Sequence, residues 1–240
     1  GLGDVYKRQC LLNLKNDIFI FKNGGDSMKI FVDTGEMDQS AHFGWQNKDE
    51  ALYGLREGYK NSADELVEIA VNSGGNPKIL DTFIFPILFS YRHCLEILLK
   101  HIYMRAWGKV PSGGHNLLTL WDIIKTEIID KMICSKEFVE EVKEYKEHFI
   151  QYNLDGIECN KIRSMIKELQ EANQRDIEIN PAKKQVDQNA EVWRYLISTD
   201  ENLFFTRGHS IDYLILKEGI SYIYGVLDYI YHIVDEYLSS

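Results

Sequence analysis

The chain has 240 residues, of which 45% are hydrophobic and 27% charged, and it carries a formal net charge of −10. This is the composition of an ordinary globular protein that is long enough to bury a core. The negative charge argues against a protein that coats nucleic acid with its whole surface, although a local basic site stays possible. The four cysteines show neither CxxC nor metal-finger spacing, so we predict no metal, no other cofactor and a reducing, cytoplasmic location.

The N-terminal region reads as an extension outside the fold. Asp4–Gln9 resembles the in-frame translation of a sequencing adapter, and Met28 is a plausible start. We therefore expect residues 1–27 to be non-native and residues 28–47 to form an irregular arm with a short strand at Ile30–Val32.

Helical periodicity begins at residue 48. Apolar residues recur at three- and four-residue steps and predict a helix over Lys48–Asn72, which ends at the Gly-Gly-Asn-Pro turn. The next predicted helix, Thr82–Trp107, is apolar nearly all round and should be the buried, central helix. Pro86 is tolerable there in the first turn and should otherwise kink the helix.

The rest of the chain predicts further helices and one long insertion, and the fold class is an all-α helical bundle. The remaining predicted helices are His115–Ile129, Ser135–Tyr152, Lys161–Ala172 and Ile211–Leu238. The insertion near 173–210 comprises a polar loop over 173–190, a strand or buried anchor at Val192–Ile197 and a turn-rich connection over Glu201–Ser210.

The last predicted helix carries a seam of apolar residues at alternating steps of four and three. The seam favours the core of the bundle, and a homodimer contact through this helix is the alternative. No apolar run is long enough to cross a membrane, so we predict no membrane association. The seam comprises Leu216, Ile220, Ile223, Leu227, Ile230 and Val234.

Charged residues interrupt the apolar central helix on one line. Arg92, Glu96 and Lys100 stand at i, i+4 and i+8, which places them on one helical face with Glu96 able to pair with either cation. A buried charge must be paired or used. A neutralised structural ladder is the favoured interpretation, and a phosphate-binding groove is the alternative.

Two histidines lie close to this line in sequence. His93 lies about 100° around the helix from Arg92 and should face a different wall, as a core histidine does. His115 follows a Gly-Gly pair, so it should cap the next helix or point into the groove between the two helices. Asn116 is a good helix cap in its own right.

Two blocks of sequence, Tyr91–Lys100 and Gly114–Trp121, carry a family resemblance. They read Tyr-Arg-His-x-x-Glu-x-x-Leu-Lys and Gly-His-Asn-Leu-x-x-Leu-Trp, and the chain resembles a bacterial branch of the HEPN (higher eukaryotes and prokaryotes nucleotide-binding) superfamily over about Lys48–Leu238. A Phe-Arg-Tyr-Pro segment expected downstream corresponds to Trp193–Leu196, where Leu196 replaces the proline. The resemblance implies an all-α bundle, frequently homodimeric, in a toxin–antitoxin or phage-defence context.

The chain departs from the catalytic motif of that family. Many members are ribonucleases with an Arg-x(4–6)-His motif, and no such pair exists anywhere in this sequence. After Arg92, residues Ile97, Leu98 and Leu99 occupy the positions where the histidine would stand. The ribonuclease assignment therefore does not carry over to this chain.

Three hypotheses follow from the residues and the resemblance. The first is a non-catalytic module that binds a nucleotide or RNA through Arg92, Lys100, His115 and Arg194. The second is a divergent, metal-independent ribonuclease in which His93 or His115 acts as general base and Arg92 stabilises the developing charge. The third is a structural or interaction protein, which full burial of Arg92 with Glu96 would favour.

Overall fold

The computed structural model describes residues 31, 35–36, 38–135, 137–138, 154, 156–172, 190–197, 201–205 and 207–239. Within these residues the chain forms six α-helices, one π-helical segment and no strand, which confirms the all-α prediction. The chain divides after residue 43, and every helix that the structure describes lies in residues 44–240. The expectation for residues 1–27 falls outside the described residues, as does all but Phe31 of the predicted strand.

Helix α1, Lys48–Val71, begins at the residue that the sequence predicts. The side chain of Asn47 accepts hydrogen bonds from the backbone N–H groups of Asp49 (2.9 Å) and Glu50 (3.0 Å). The Glu50 carboxylate in turn accepts from the N–H of Asn47 at 3.0 Å. This capping box satisfies orphan N–H groups on both sides of the helix start.

Helix α2 runs over Pro77–Trp107 and begins earlier than predicted, at Pro77 instead of Thr82. The side chain of Asn76 accepts from the N–H of Lys78 at 3.1 Å, and Pro77 takes the first helical position, where its missing N–H costs nothing. Pro86 therefore lies inside the helix and not in its first turn, which leaves the second of the two alternatives for this residue.

Helix α2 is the central element of the bundle, as predicted. Leu88, Leu95 and Leu99 are buried in one core that α1, α2 and the last helix, α6 (Tyr213–Ser239), build together. By length and composition α2 could also cross a membrane. However, 61% of its most apolar window is buried in the bundle, which is what a core helix shows as well.

The apolar seam of α6 faces the core of its own chain. Five of its six residues are buried, and Leu216 packs against the same core while partly exposed. The favoured interpretation of the seam is therefore confirmed, and a homodimer stays a prediction. The five buried residues are Ile220, Ile223, Leu227, Ile230 and Val234.

The predicted helix His115–Ile129 is divided in two. Helix α3, Leu117–Ile123, continues directly into a π-helical segment, Ile124–Ile133. The last π-type bond joins the N–H of Cys134 to the carbonyl of Ile129, five residues back, at 2.9 Å. The apolar residues of this segment are spaced in a way that fits both an α-helical and a π-helical turn, so the sequence does not predict the change.

The second half of the chain requires two further corrections. Helix α4 covers Gly156–Gln170 and so begins and ends before the predicted Lys161–Ala172. Helix α5 is the single turn Val192–Tyr195, in which Val192 and Trp193 are buried. The anchor interpretation is thus confirmed and the strand is wrong, because the only strand-like feature in this described part is an isolated bridge between Ile197 and Leu203.

Two predicted elements fall on residues that the structure does not describe. Of the predicted helix Ser135–Tyr152, only its start is described, where the Ser135 hydroxyl accepts from the N–H of Phe138 at 3.1 Å. Most of the loop predicted over 173–190 lies outside the described residues.

Candidate functional site at Glu96

Glu96 is the centre of a charge cluster on α2. Its carboxylate lies 3.1 Å from Nη1 of Arg92 and 2.7 Å from Nζ of Lys100, one helical turn away on either side. Only 2% of Glu96 is exposed. The structure thus confirms the predicted network and its hub, because i±4 spacing on a helix brings both cations onto one carboxylate.

The loop after α2 brings a third donor to the same carboxylate. Gly108 ends α2 in the left-handed region (φ 65°), and Gly113 (φ 125°) turns so tightly that a Cβ there would lie 3.0 Å from Cγ2 of Thr119. This turn places Nδ1 of His115 at 2.8 Å from Oε1 of Glu96. His115 therefore joins the cluster and does not cap α3.

Asn116 supplies the cap of α3. Its side-chain oxygen accepts from the N–H of Thr119 at 2.9 Å, which satisfies an orphan donor of the first helical turn. The predicted capping role is confirmed. The amide is occupied by the helix start, and it orients the chain directly after His115.

Arg92 holds the loop against the bundle. Its Nη2 donates to the backbone carbonyl of His115 at 2.6 Å and approaches Oε1 of Gln170, on α4, at 3.5 Å. The same Gln170 oxygen accepts from the N–H of Leu117 at 2.9 Å. With 2% of the residue exposed, Arg92 ties α2, the loop and α4 together from inside the protein. Its burial with Glu96 is the arrangement that a structural role predicts for this pair.

The pKa of Glu96 is lowered by its three neighbours. Burial acts to raise this pKa, but the hydrogen bond and charge of Lys100, the hydrogen bond from His115 and the charge of Arg92 together outweigh it. The carboxylate is therefore ionised at neutral pH and can only accept hydrogen bonds. It follows that Nδ1 of His115 bears the hydrogen and donates a hydrogen bond to Glu96.

The outer members of the cluster reach solvent. The side chain of His115 is 54% exposed and that of Lys100 is 21% exposed, against 3% for Arg92 and Glu96. With its proton on Nδ1, His115 leaves Nε2 without a hydrogen bond to any described residue. Because two cations face one carboxylate, the cluster keeps a positive charge even when His115 is neutral.

His93 faces a different wall of α2 from Arg92, as predicted. Its ring lies nearly parallel to that of Phe89 (15°, centroids 5.6 Å apart) and meets Tyr59 of α1 edge-on at 4.6 Å. The ring is half-buried. Burial lowers the pKa of His93, and the charges of Arg92 and Lys100 act in the same direction, so the imidazole is neutral at neutral pH.

Arg194 does not meet the cluster within the part of the chain that the structure describes. It is exposed on α5, and its guanidinium lies over the ring of Tyr195 at 5.0 Å from the centroid. The structure thus brings Arg92, Glu96, Lys100 and His115 together, places Asn116 beside them and leaves Arg194 apart.

A second buried polar network lies between α1 and α6, and the sequence reasoning missed it. Arg56 is fully buried, and its Nη2 donates to Oδ1 of Asp228 at 2.7 Å. The guanidinium lies over the rings of Tyr231 (4.7 Å), Tyr53 (5.0 Å) and Tyr224 (5.8 Å). We call these five residues the Arg56 cage.

The same face of α1 continues this network toward α2. Lys60 is paired with Asp64 at 2.6 Å, and the hydroxyl of Tyr91 donates to the other carboxylate oxygen of Asp64 at 2.6 Å. The signal was the i, i+4, i+8 spacing of Arg56, Lys60 and Asp64, identical to that on α2. It was hidden because α1 is rich in charges, most of which are solvated.

No metal site is built by the described residues, since no three His, Cys, Asp or Glu side chains come together there. Comparison of the chain with protein-family models, with curated proteins and with solved structures found no match. What the site can do must therefore be argued from its geometry.

Proposed function

We propose that the chain is a HEPN-like helical binding module that holds a phosphate-bearing ligand, a nucleotide or RNA, at the surface formed by Lys100 and His115. The observation that carries the proposal is the half-exposed His115 ring, fixed through Nδ1 by the buried Glu96 with Lys100 alongside. The resemblance of the two sequence blocks to HEPN proteins supports a role in a defence or toxin–antitoxin context.

The chemistry of the pair suits a phosphate. An ammonium and an imidazolium donate charge-assisted hydrogen bonds to phosphate oxygens, which are about twice as strong as neutral ones. The Nδ1 hydrogen of His115 is already held by Glu96, so Nε2 is the nitrogen that faces the ligand, and in the imidazolium form it would donate to a phosphate oxygen. The carboxylate beneath keeps the ring in place.

Arg92 supports this site from its buried side. Its guanidinium is engaged with Glu96 and with the carbonyl of His115, so it positions the loop and does not contact the ligand. This division differs from the expectation that Arg92 itself binds the phosphate. The binding-module and structural hypotheses are thus both represented, because the buried pair Arg92–Glu96 has a structural role and supports the binding pair Lys100 and His115.

The test is a titration with inorganic phosphate followed by NMR. We expect saturable shifts around Lys100 and His115, and each of Lys100→Met and His115→Ala should weaken binding about tenfold, because a hydrogen bond to a charged group contributes about 1.5–3 kcal/mol. Lys217→Met is the matched control, since it removes the same charge from an ion pair with Glu68 on the surface. Arg194→Ala shows whether Arg194 belongs to the site.

Two results would overturn the proposal. Phosphate could fail to saturate any site on the wild-type protein. Alternatively, Lys217→Met could weaken binding as much as Lys100→Met, in which case the net charge of the chain and not this site would be responsible.

A divergent ribonuclease is the second candidate, and the pairing of His115 with Glu96 favours it. A carboxylate that fixes Nδ1 leaves Nε2 free to take a proton, which is how a general base is oriented. Because Arg92 is engaged, Lys100 would have to stabilise the phosphorane charge. Incubation with single-stranded and structured RNA, with and without Mg²⁺, decides this, since cleavage that disappears in His115→Ala and persists in Lys217→Met would establish the enzyme.

A further inference from the structure

A half-exposed stripe runs along α2 beside the Glu96 cluster. Phe89, His93 and Lys100 are partly exposed, whereas the neighbouring Arg92 and Leu95 are buried. Steps of four and seven residues keep the three within about 40° of one line on the helix. Aromatic and cationic side chains therefore lie along one side of α2, with the buried Glu96 between them and His115 at the cationic end.

Three rings at the other end of the stripe form an aromatic corner, made of Tyr59, Phe89 and His93. Phe89 and His93 lie within 15° of parallel, and Tyr59 stands across both, at 81° to Phe89 and 87° to His93. All three are partly exposed. A flat aromatic group that lies parallel to Phe89 and His93 would stand at right angles to Tyr59, and stacked and edge-on contacts are the two arrangements that aromatic pairs prefer.

The distance between the two ends suits a small ligand. Seven residues of helix separate His93 from Lys100 by about 10.5 Å along the axis, and the long side chain of Lys100 shortens the gap. This span is comparable with the length of one nucleotide. Burial lowers the pKa of His93, the charge of Glu96 opposes this effect, and the charges of Lys100 and His115 lower the pKa further. These electrostatic effects agree with the short distance between the two ends of the stripe.

We propose that the aromatic corner stacks the base of a mononucleotide whose phosphate lies on Lys100 and His115. The inference rests on the proposed function and names its ligand class. The stripe offers one stacking position and one cationic end, and the chain as a whole carries a charge of −10, which opposes binding of a long polyanion.

The experiment compares adenosine monophosphate with inorganic phosphate on the same protein. Stacking of a base on aromatic side chains is worth about 1–3 kcal/mol, so we expect the nucleotide to bind at least about fivefold more tightly than phosphate. His93→Ala should remove this gain and leave phosphate affinity unchanged. His93→Phe keeps a ring in place and should retain the gain, and thermal melting of both variants verifies that they fold.

The outcomes separate the inference from the proposed function. Equal affinities for phosphate and nucleotide, or a nucleotide gain that survives in His93→Ala, would overturn the inference and leave the phosphate site standing. Absence of binding by either probe would overturn both. A short RNA that binds more tightly than the mononucleotide, with a steep salt dependence, would also overturn the inference, since a polyanion would then be the preferred ligand.

Discussion

The Glu96 cluster on α2 and the charged face of α1 that carries the Arg56 cage have the same i, i+4, i+8 spacing of charged residues but place their cations differently. In the first, a single buried carboxylate collects three donors, and two of them, Lys100 and His115, reach solvent. In the second, the guanidinium of Arg56 has no exposed surface, and tyrosine rings cover it. Of these two regions, the Glu96 cluster therefore presents a cation, Lys100, that a ligand could reach, whereas Arg56 is closed to solvent.

The number of carboxylates also separates the two regions. On α1 each cation has its own acid, since Arg56 pairs with Asp228 and Lys60 with Asp64. On α2 both Arg92 and Lys100 contact the one carboxylate of Glu96. Loss of one carboxylate should therefore damage the two regions unequally, which makes the comparison testable by unfolding experiments.

The largest expected effect is that of Glu96→Ala. The substitution removes the carboxylate that lies between two cations, the buried Arg92 and Lys100, so that their like charges face each other. We therefore expect a loss of about 3–5 kcal/mol in the free energy of unfolding. Urea denaturation measures it. The loss should exceed that of Lys100→Met and that of Asp228→Ala, because Asp228 is partly exposed and its loss leaves Arg56 against three aromatic rings.

Glu96→Gln is the control for shape. It keeps the volume and one acceptor oxygen but replaces the other oxygen with an NH2 donor and removes the charge, so it should retain part of the stability that Glu96→Ala loses. A near-zero effect of Glu96→Ala would show that the cations are solvated without their carboxylate and that the cluster is no hub.

A smaller effect is expected for Arg56→Met. Two buried nitrogens of Arg56, Nε and Nη1, have no hydrogen-bond partner among the described residues, so the substitution also relieves two unsatisfied donors. Methionine fills much of the same space between Tyr53 and Tyr231. We expect a loss of about 1–2 kcal/mol in the free energy of unfolding. A loss as large as that of Glu96→Ala would mean that the ion pair with Asp228 outweighs the unsatisfied donors.

Much of the fold could be predicted because its signals are local. The start of α1 at Lys48 follows from the Asn47 cap, and the burial of α2 follows from its apolar sequence. The start of α2 was misplaced because Asn76-Pro77 reads equally as the end of one helix and the cap of the next. The π-helical segment Ile124–Ile133 could not be predicted, because its apolar residues are spaced as in an α-helix.

The site was predictable only where its members share one helix. Spacing alone joined Arg92, Glu96 and Lys100, whereas the pairing of His115 with Glu96 depends on how the intervening loop folds back. The Arg56 cage was missed because Asp228 lies 172 residues away on another helix. Tertiary pairing of that kind has no periodicity that a single sequence could show.

The pH dependence of stability should distinguish the two regions again. Burial lowers the pKa of His101, which lies beside the cage, with the charge of Arg56 acting in the same direction and the hydrogen bond to Asp49 against it. A histidine with a lowered pKa stabilises the fold fully above its unfolded value of 6.5, and this contribution is lost as the pH falls through the folded pKa. Glu96, also with a lowered pKa, loses its contribution only below its ordinary value of 4.5.

We therefore expect the unfolding free energy to fall from about pH 6.5 downward, with a slope of at most about 1.4 kcal/mol per pH unit for each histidine involved. His93, whose pKa is lowered as well, contributes to the same window. His101→Gln should flatten the slope that begins at about pH 6.5 and leave the loss below the ordinary pKa of Glu96, 4.5, intact. Identical pH profiles for the wild type and His101→Gln would contradict the assignment.

The smallest effect on stability should come from Lys100→Met, and it sharpens the comparison most. The side chain is 21% exposed, and Glu96 keeps Arg92 and His115 as partners without it. We expect the free energy of unfolding to change by less than about 1 kcal/mol, as for other ion pairs open to solvent, while phosphate affinity falls about tenfold. Denaturation and phosphate titration of the same sample measure both. A stability loss equal to that of Glu96→Ala would make Lys100 part of the structural clamp, and the solvent-facing half of the cluster would then have no binding role to set it apart from the Arg56 cage.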